Sequence, residues 1–170
     1  MLQRDEIQAV TSWYNLVYVE LRMLCFWSDL EKNVMIPREE LLSLAREVAI
    51  YAHCPYSHFR VGAAVVADGK TYVGVNVEIS SYGLTLCAER SALAAAIAAG
   101  EVAGSITHIA VACIDARQDA PIQDRTPCGA CRQWLADLAP HAIIYVDGDT
   151  RDFTIEDLLP YAFGLHAKSV

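Results

Sequence analysis

The sequence predicts one α/β domain with helices on both faces of a mixed sheet. Segments with a 3.6-residue apolar period alternate with short β-rich runs from residue 37 onward. Asp68-Gly69 separates two of those runs and is a two-residue hairpin signal. The order helix, hairpin, helix, strand, helix, strand then layers elements on both sides of one sheet. At 170 residues, 54% hydrophobic and 20% charged, the chain has apolar material enough for a single core.

A helix opens at Pro37, since proline suits a first helical position where its missing N–H has no partner to lose. Leu41, Leu42, Ala45, Val48, Ala49 and Ala52 form its apolar stripe. Cys54-Pro55 ends it, because the residue before proline avoids helical angles. Residues 60–67 and 70–77 are the arms of the hairpin, and residues 86–99 an alanine-rich helix stopped by Gly100. Residues 106–114 read as a buried strand, and residues 128–138 as a helix halted by Pro140. Residues 142–146 and 152–155 complete five strands, and a short helix covers 155–159.

A formal net charge of -8, with no Lys/Arg cluster, argues against nucleic acid as a partner. A small uncharged substrate fits better. The start, Met1-Leu2-Gln3-Arg4-Asp5-Glu6, lacks a signal-peptide pattern, and Glu20 and Arg22 cut the apolar stretch 13–27 below membrane-spanning length. These features point away from a membrane and toward a reducing cytoplasm, where paired cysteines bind metal more often than each other.

Two clusters hold the chemistry: Cys87-Ala88-Glu89 and Pro127-Cys128-Gly129-Ala130-Cys131. Three thiolates and one unligated carboxylate suit a catalytic Zn²⁺, which keeps its fourth position for water, with Glu89 beside it to take a proton. A ligand-x-Glu segment followed by Pro-Cys-x-x-Cys is the signature of zinc nucleobase deaminases. Both clusters fall at helix starts, whose partial positive charge offsets the excess charge of three thiolates. Arg90 adds to this by donating to a thiolate. Two other readings stay open at this point. Cys128 and Cys131 alone resemble a thioredoxin-like dithiol, and a structural zinc could recruit His53, Cys54, His58 or Cys113 as fourth ligand. Cys25, Cys54 and Cys113 read as buried small hydrophobes.

Four further stretches resemble the cytidine deaminase family of free-nucleoside hydrolases: Cys54-Pro55-Tyr56-Ser57-His58-Phe59-Arg60-Val61-Gly62-Ala63-Ala64, Gly74-Val75-Asn76-Val77-Glu78, Ser81-Tyr82-Gly83-Leu84-Thr85 and Leu159-Pro160-Tyr161-Ala162-Phe163. With the two cysteine clusters the likeness runs in the family's order from about residue 36 to 163. It implies a three-layer α/β/α fold with a mixed five-stranded sheet over residues 35–170. It also implies a homotetramer whose sites are completed across subunits. Cys87, Cys128 and Cys131 would ligate zinc, and Glu89 would shuttle protons to ring nitrogen 3 and the leaving amine. Asn76 and Glu78 match the pair that binds the ribose 3′-hydroxyl, and their spacing on an extended segment turns both to one side. Phe59 matches an aromatic packed on the base, and Phe163 one supplied across a subunit boundary. Tyr82 lies in a segment that approaches a neighbour's site, and Ala88 counts among the substrate-binding residues.

The chain departs from the family at Ile79-Ser80, where Asn-Ala is usual, and at Thr126, where Ser is usual. Residues 1–34 have no counterpart. They read either as a helix packing Trp13, Val17, Leu21 and Leu24, or as the product of a misassigned start. The activity implied is zinc-dependent deamination of cytidine and deoxycytidine in pyrimidine salvage. The alternatives are a deaminase of a modified cytosine nucleoside such as blasticidin S, and the dithiol redox protein.

Overall fold

The structure, a computed structural model, describes residues 36–117 and 119–165. The 1–34 extension, with its candidate helix, lies outside the described residues, as does Cys25. Helix α1 (Arg38–Ala49) starts one residue later than predicted. Pro37 is its cap rather than its first residue, and the Pro37 carbonyl accepts from Leu41 N at 3.1 Å.

Strands β1 (Val61–Ala67) and β2 (Lys70–Val75) pair antiparallel. Between them Asp68 and Gly69 both take positive φ, 46° and 73°, as a turn matching the strand twist demands. Strand β1 also pairs antiparallel with β3 (Ile106–Cys113), Val61 opposite Cys113. Strand β3 runs parallel to β4 (Ile143–Val146), and β4 antiparallel to β5 (Asp152–Phe153). The sheet order is therefore β2-β1-β3-β4-β5, mixed and five-stranded as predicted. A parallel pair needs a crossover. The β3-to-β4 crossover contains helix α3 (Gly129–Leu138), while helix α2 (Ala88–Ala98) joins β2 to β3. A single-turn helix α4 (Ile155–Leu158) follows β5.

Residue parity sorts the core into two layers. Ala63, Val65, Ile109, Val111, Ile144 and Val146 meet Ala88, Ala92, Leu93 and Leu135 of α2 and α3. Ala64, Val66, Ala110, Ala112 and Tyr145 meet Leu41, Leu42 and Ala45 of α1. Central strands buried on both faces read as near-continuous apolar runs, which is how β1 and β3 are written. Close approach of α2 to the sheet depends on Gly74. A Cβ there would lie 2.3 Å from Ala92 N and 2.7 Å from the Ala88 carbonyl oxygen.

The predicted strand 70–77 ends early, at Val75. Beyond it Val77 makes isolated bridges to His53 and Leu86, so the segment leaves the ladder to join two loops. That departure builds the wall of the cavity described next.

Candidate active site

Two helix N-termini meet at one point. Cys87 caps α2 and Cys128 caps α3, both with extended backbone (φ −74°, ψ 155° and φ −67°, ψ 166°), and Cys131 lies buried in the first turn of α3. Helix α2 is fastened to β2 by Ser91 Oγ donating to the Val75 carbonyl at 2.8 Å. The approach to α3 is pinned by Arg132, which donates to the carbonyls of Pro127 and Leu158, each at 2.7 Å, and to Thr126 Oγ1 at 3.1 Å.

The sulfurs of Cys87 and Cys128 are 3.8 Å apart, those of Cys128 and Cys131 3.5 Å, and all three lie within 4.8 Å of one another. A tetrahedral Zn²⁺ with Zn–S of about 2.3 Å requires ligand sulfurs about 3.8 Å apart. The set fits the metal. Among the described residues no fourth Cys, His, Asp or Glu joins it, so His53, Cys54, His58 and Cys113 do not close the site. That is the ligand count of a catalytic centre rather than a structural one.

Cys87 ionises more readily than an ordinary thiol. The Cys131 thiol donates toward it, and with Arg90 outweighs burial to hold Cys87 down at about 5. Cys131 moves the other way, raised above the ordinary thiol range because its proton is held against Cys87 and its surroundings are dry. Arg90 Nη2 donates to the Thr85 carbonyl at 2.7 Å and reaches Cys87 Sγ at 3.7 Å.

Beside the sulfurs is a cavity of about 390 Å³, within the range of small-molecule sites. Glu89 lines it, only 4% exposed, and burial pushes its carboxyl up to about 7. Ala88, Phe59, Asn76, Glu78 and Tyr82 line the same cavity. Asn76 Oδ1 accepts from Val61 N at 2.8 Å while its Nδ2 donates to the Phe59 carbonyl at 2.9 Å. Glu78 Oε2 accepts from Tyr56 N and Ser57 N at 3.1 and 3.0 Å, and Oε1 from the Tyr82 phenol at 3.3 Å. The Ser57 hydroxyl, then the amides of Ser57 and Tyr56, hold the Glu78 carboxyl below the usual carboxylate range against the pull of burial. Tyr82 also stands edge-on to Tyr56, ring centres 6.0 Å apart.

Phe163 is absent from this wall. It is 68% exposed, and its carbonyl accepts from Gln133 Nε2 at 2.7 Å. Cys113 corrects the reading of it as core. It ends β3 half-buried at the cavity's edge, its thiol pushed up to about 12 by burial. Val111 and Asp124–Thr126 also line the cavity and were not singled out as a group. Strand alternation, which places Val111 and Cys113 on the α2 side, was the available signal for those two.

The profile described as the cytidine and deoxycytidylate deaminase zinc-binding region matches residues 35–147. A probable cytidine deaminase of Dictyostelium discoideum is 43% identical over 130 residues, covering 74% of this chain and 82% of that protein. A cytidine deaminase of Halalkalibacterium halodurans is 41% identical over 131 residues, covering 74% and 93%. Among solved structures, the cytidine deaminase of Burkholderia pseudomallei superposes with a TM-score of 0.68 at 43% identity, over 75% of this chain and 100% of that one. That of Mycobacterium tuberculosis gives 0.63 at 36% identity, over 77% and 100%. With the three-sulfur site and the mixed five-stranded sheet in agreement, the chain belongs to the cytidine deaminase family, zinc-binding hydrolases of the C–N bond in cyclic amidines.

Proposed function

We propose that this chain converts cytidine and deoxycytidine to uridine and deoxyuridine, water displacing the 4-amino group as ammonia. The observation that supports it most is the convergence of three sulfurs, within 4.8 Å of one another, beside a buried carboxylate in a nucleoside-sized cavity. Cys87, Cys128 and Cys131 would hold Zn²⁺. Bound there, the metal supplies a water acidified toward a pKa of about 7. Glu89 would take a proton from the attacking water and deliver it to N3 of the base, then take the second proton from the new 4-hydroxyl and pass it to the amine, which departs as ammonia. Arg90 and the ends of α2 and α3 moderate the charge of the thiolates.

Ala88 N–H, in the first turn of α2, has no carbonyl of its own helix to serve and suits the 2-oxo group of the base. Phe59 forms the wall on which the base packs. Asn76 and Glu78 receive the ribose 3′-hydroxyl, and the Glu78 carboxylate disfavours a 5′-phosphate, so nucleosides are preferred to nucleotides. A homotetramer belongs to this reading. Tyr161, Phe163 and Leu165, all exposed, are suited to cover a neighbouring copy, with Phe163 reaching its cavity, whereas Tyr82 serves the cavity of its own chain. Among the described residues no helix is long and apolar enough to cross a membrane. A cytoplasmic setting would keep the three thiols reduced.

The test is loss of absorbance on incubation with cytidine, deoxycytidine, cytosine, CMP and blasticidin S in parallel, with ammonia measured. Turnover of the two nucleosides alone is expected. Comparable turnover of CMP overturns the Glu78 argument, and inertness toward cytidine and deoxycytidine overturns the reading itself. Light scattering that gave a monomer would remove the shared-site part.

A further inference from the structure

Two buried polar atoms beside the sulfurs have no hydrogen-bond partner in the described chain: Thr85 Oγ1 and Arg90 Nε. Their residues are already joined, since Arg90 Nη2 donates to the Thr85 carbonyl at 2.7 Å. In the planar fork of a guanidinium, Nε–H and the nearer Nη2–H lie along one edge. The unmet Nε–H is thus the immediate neighbour of the Nη2 that serves the Thr85 carbonyl and Cys87, which places it beside Thr85. An unmet donor and an unmet acceptor, both shielded from solvent and on residues in contact, are the surroundings in which proteins hold internal water.

We infer that one buried water links Arg90 Nε–H to Thr85 Oγ1, making Thr85 a positioning residue for the metal site. Nη2 has two hydrogens and two acceptors, the Thr85 carbonyl and Cys87 Sγ at 3.7 Å. The water fixes the remaining donor of that edge. The guanidinium then cannot rotate away from Cys87 without breaking two bonds to Thr85. The threonine acts through Arg90 on the sulfur and needs no contact with substrate, although it borders the cavity. The inference rests on zinc being held by the three cysteines.

The experiment compares wild type, Thr85→Val, which keeps the shape and loses the hydroxyl, and Thr85→Ser, which restores it. Zinc affinity is read by chelator competition, KM and kcat by cytidine turnover, and ligand field by the sulfur-to-cobalt charge-transfer bands of the Co²⁺ proteins. Losing an outer partner of a metal ligand weakens metal binding by about 10- to 100-fold. Thr85→Val should therefore bind zinc about 10-fold more weakly, with shifted cobalt bands and unchanged KM, and Thr85→Ser should behave as wild type. Thr85→Val with wild-type zinc affinity and equal or higher melting temperature overturns the inference, because that is what deletion of an orphan hydroxyl does. A raised KM with intact zinc affinity also overturns it, by assigning the hydroxyl to substrate. If Thr85→Val does not fold, a crystal structure of the wild-type protein decides, and a gap between the two atoms holding no water is the adverse result. Zinc content of the wild type and of Cys128→Ala tests the underlying metal reading separately.

Discussion

Alanine at Gly74 should dismantle the metal site without altering any residue that lines it. The added Cβ would lie 2.3 Å from Ala92 N and 2.7 Å from both the Ala88 carbonyl oxygen and Ser91 C, where ordinary contacts begin at 3.4 Å. All three atoms are helix backbone, so no side chain can swing aside. Strand β2 and helix α2 must part by about 1 Å, an overpacking that costs about 1–3 kcal/mol. A domain with about 5–15 kcal/mol of stability survives that. The metal site does not, because Cys87 caps α2 whereas Cys128 and Cys131 belong to α3. Movement of one helix enters the 3.8 Å separation of Cys87 and Cys128 directly, and ligand distances tolerate only about 0.2 Å. Zinc content and chelator competition, read beside circular dichroism and thermal melts, should show a folded, zinc-poor Gly74→Ala protein. Gly83→Ala is the control, since its Cβ meets no heavy atom within 4 Å. A Gly74→Ala protein with full zinc and wild-type turnover would refute the reasoning.

Glu89→Gln should retain zinc and lose about 10²- to 10⁴-fold in kcat, the worth of one positioned acid–base group; near-normal turnover would remove the proton shuttle. Cys128→Ala should lose metal and much of its soluble yield, because thiolate–zinc binding is coupled to folding; metal analysis showing one zinc per chain would count against ligation. Asp115→Asn tests the clamp on the loop before β1. Hydrogen bonds from Arg60 hold the Asp115 carboxyl at about 2, so its stabilisation is complete above the unfolded value near 3.8 and vanishes as pH falls through about 2. Discounted for solvent screening, the variant should be about 1 kcal/mol less stable at pH 7, with the gap closing between about pH 4 and 2 in urea melts; a gap independent of pH refutes the pairing.

What was legible in the sequence was local. Asp68-Gly69 announces its turn because both residues tolerate positive φ, and Gly100 with φ 97° ends α2 for the same reason. Cys128 and Cys131 meet because i and i+3 share a face at the start of a helix. What stayed hidden depends on tertiary placement. Apolar alternation assigns Cys113 to the α2 side of the sheet without saying whether a helix or a cavity lies above it. Asp124–Thr126 have no period at all, and reach the cavity through the crossover that the parallel β3–β4 pair imposes. The two amides that Glu78 accepts from are 21 and 22 residues away, beyond any local pattern.

Asn76 and Glu78 show how a wall can be rigid and still have capacity to bind. Each is buried, and each spends most of its hydrogen bonding on the backbone of the loop from Tyr56 to Val61. That loop contains Phe59, so the polar pair fixes the aromatic wall before any ligand arrives. What remains is specific. An amide nitrogen has two hydrogens, and Asn76 Nδ2 uses one on the Phe59 carbonyl. Glu78 accepts from two amides at Oε2 and from the Ser57 hydroxyl, whereas the Tyr82 phenol stands at 3.3 Å from Oε1, long for a bond to a carboxylate and so able to yield to a nearer donor. One spare donor beside one under-used acceptor matches a hydroxyl, which donates once and accepts at the same time. Under the proposed function, a ribose hydroxyl arriving there would complete the network rather than compete with it, so little of its binding energy would be lost to reordering the loop.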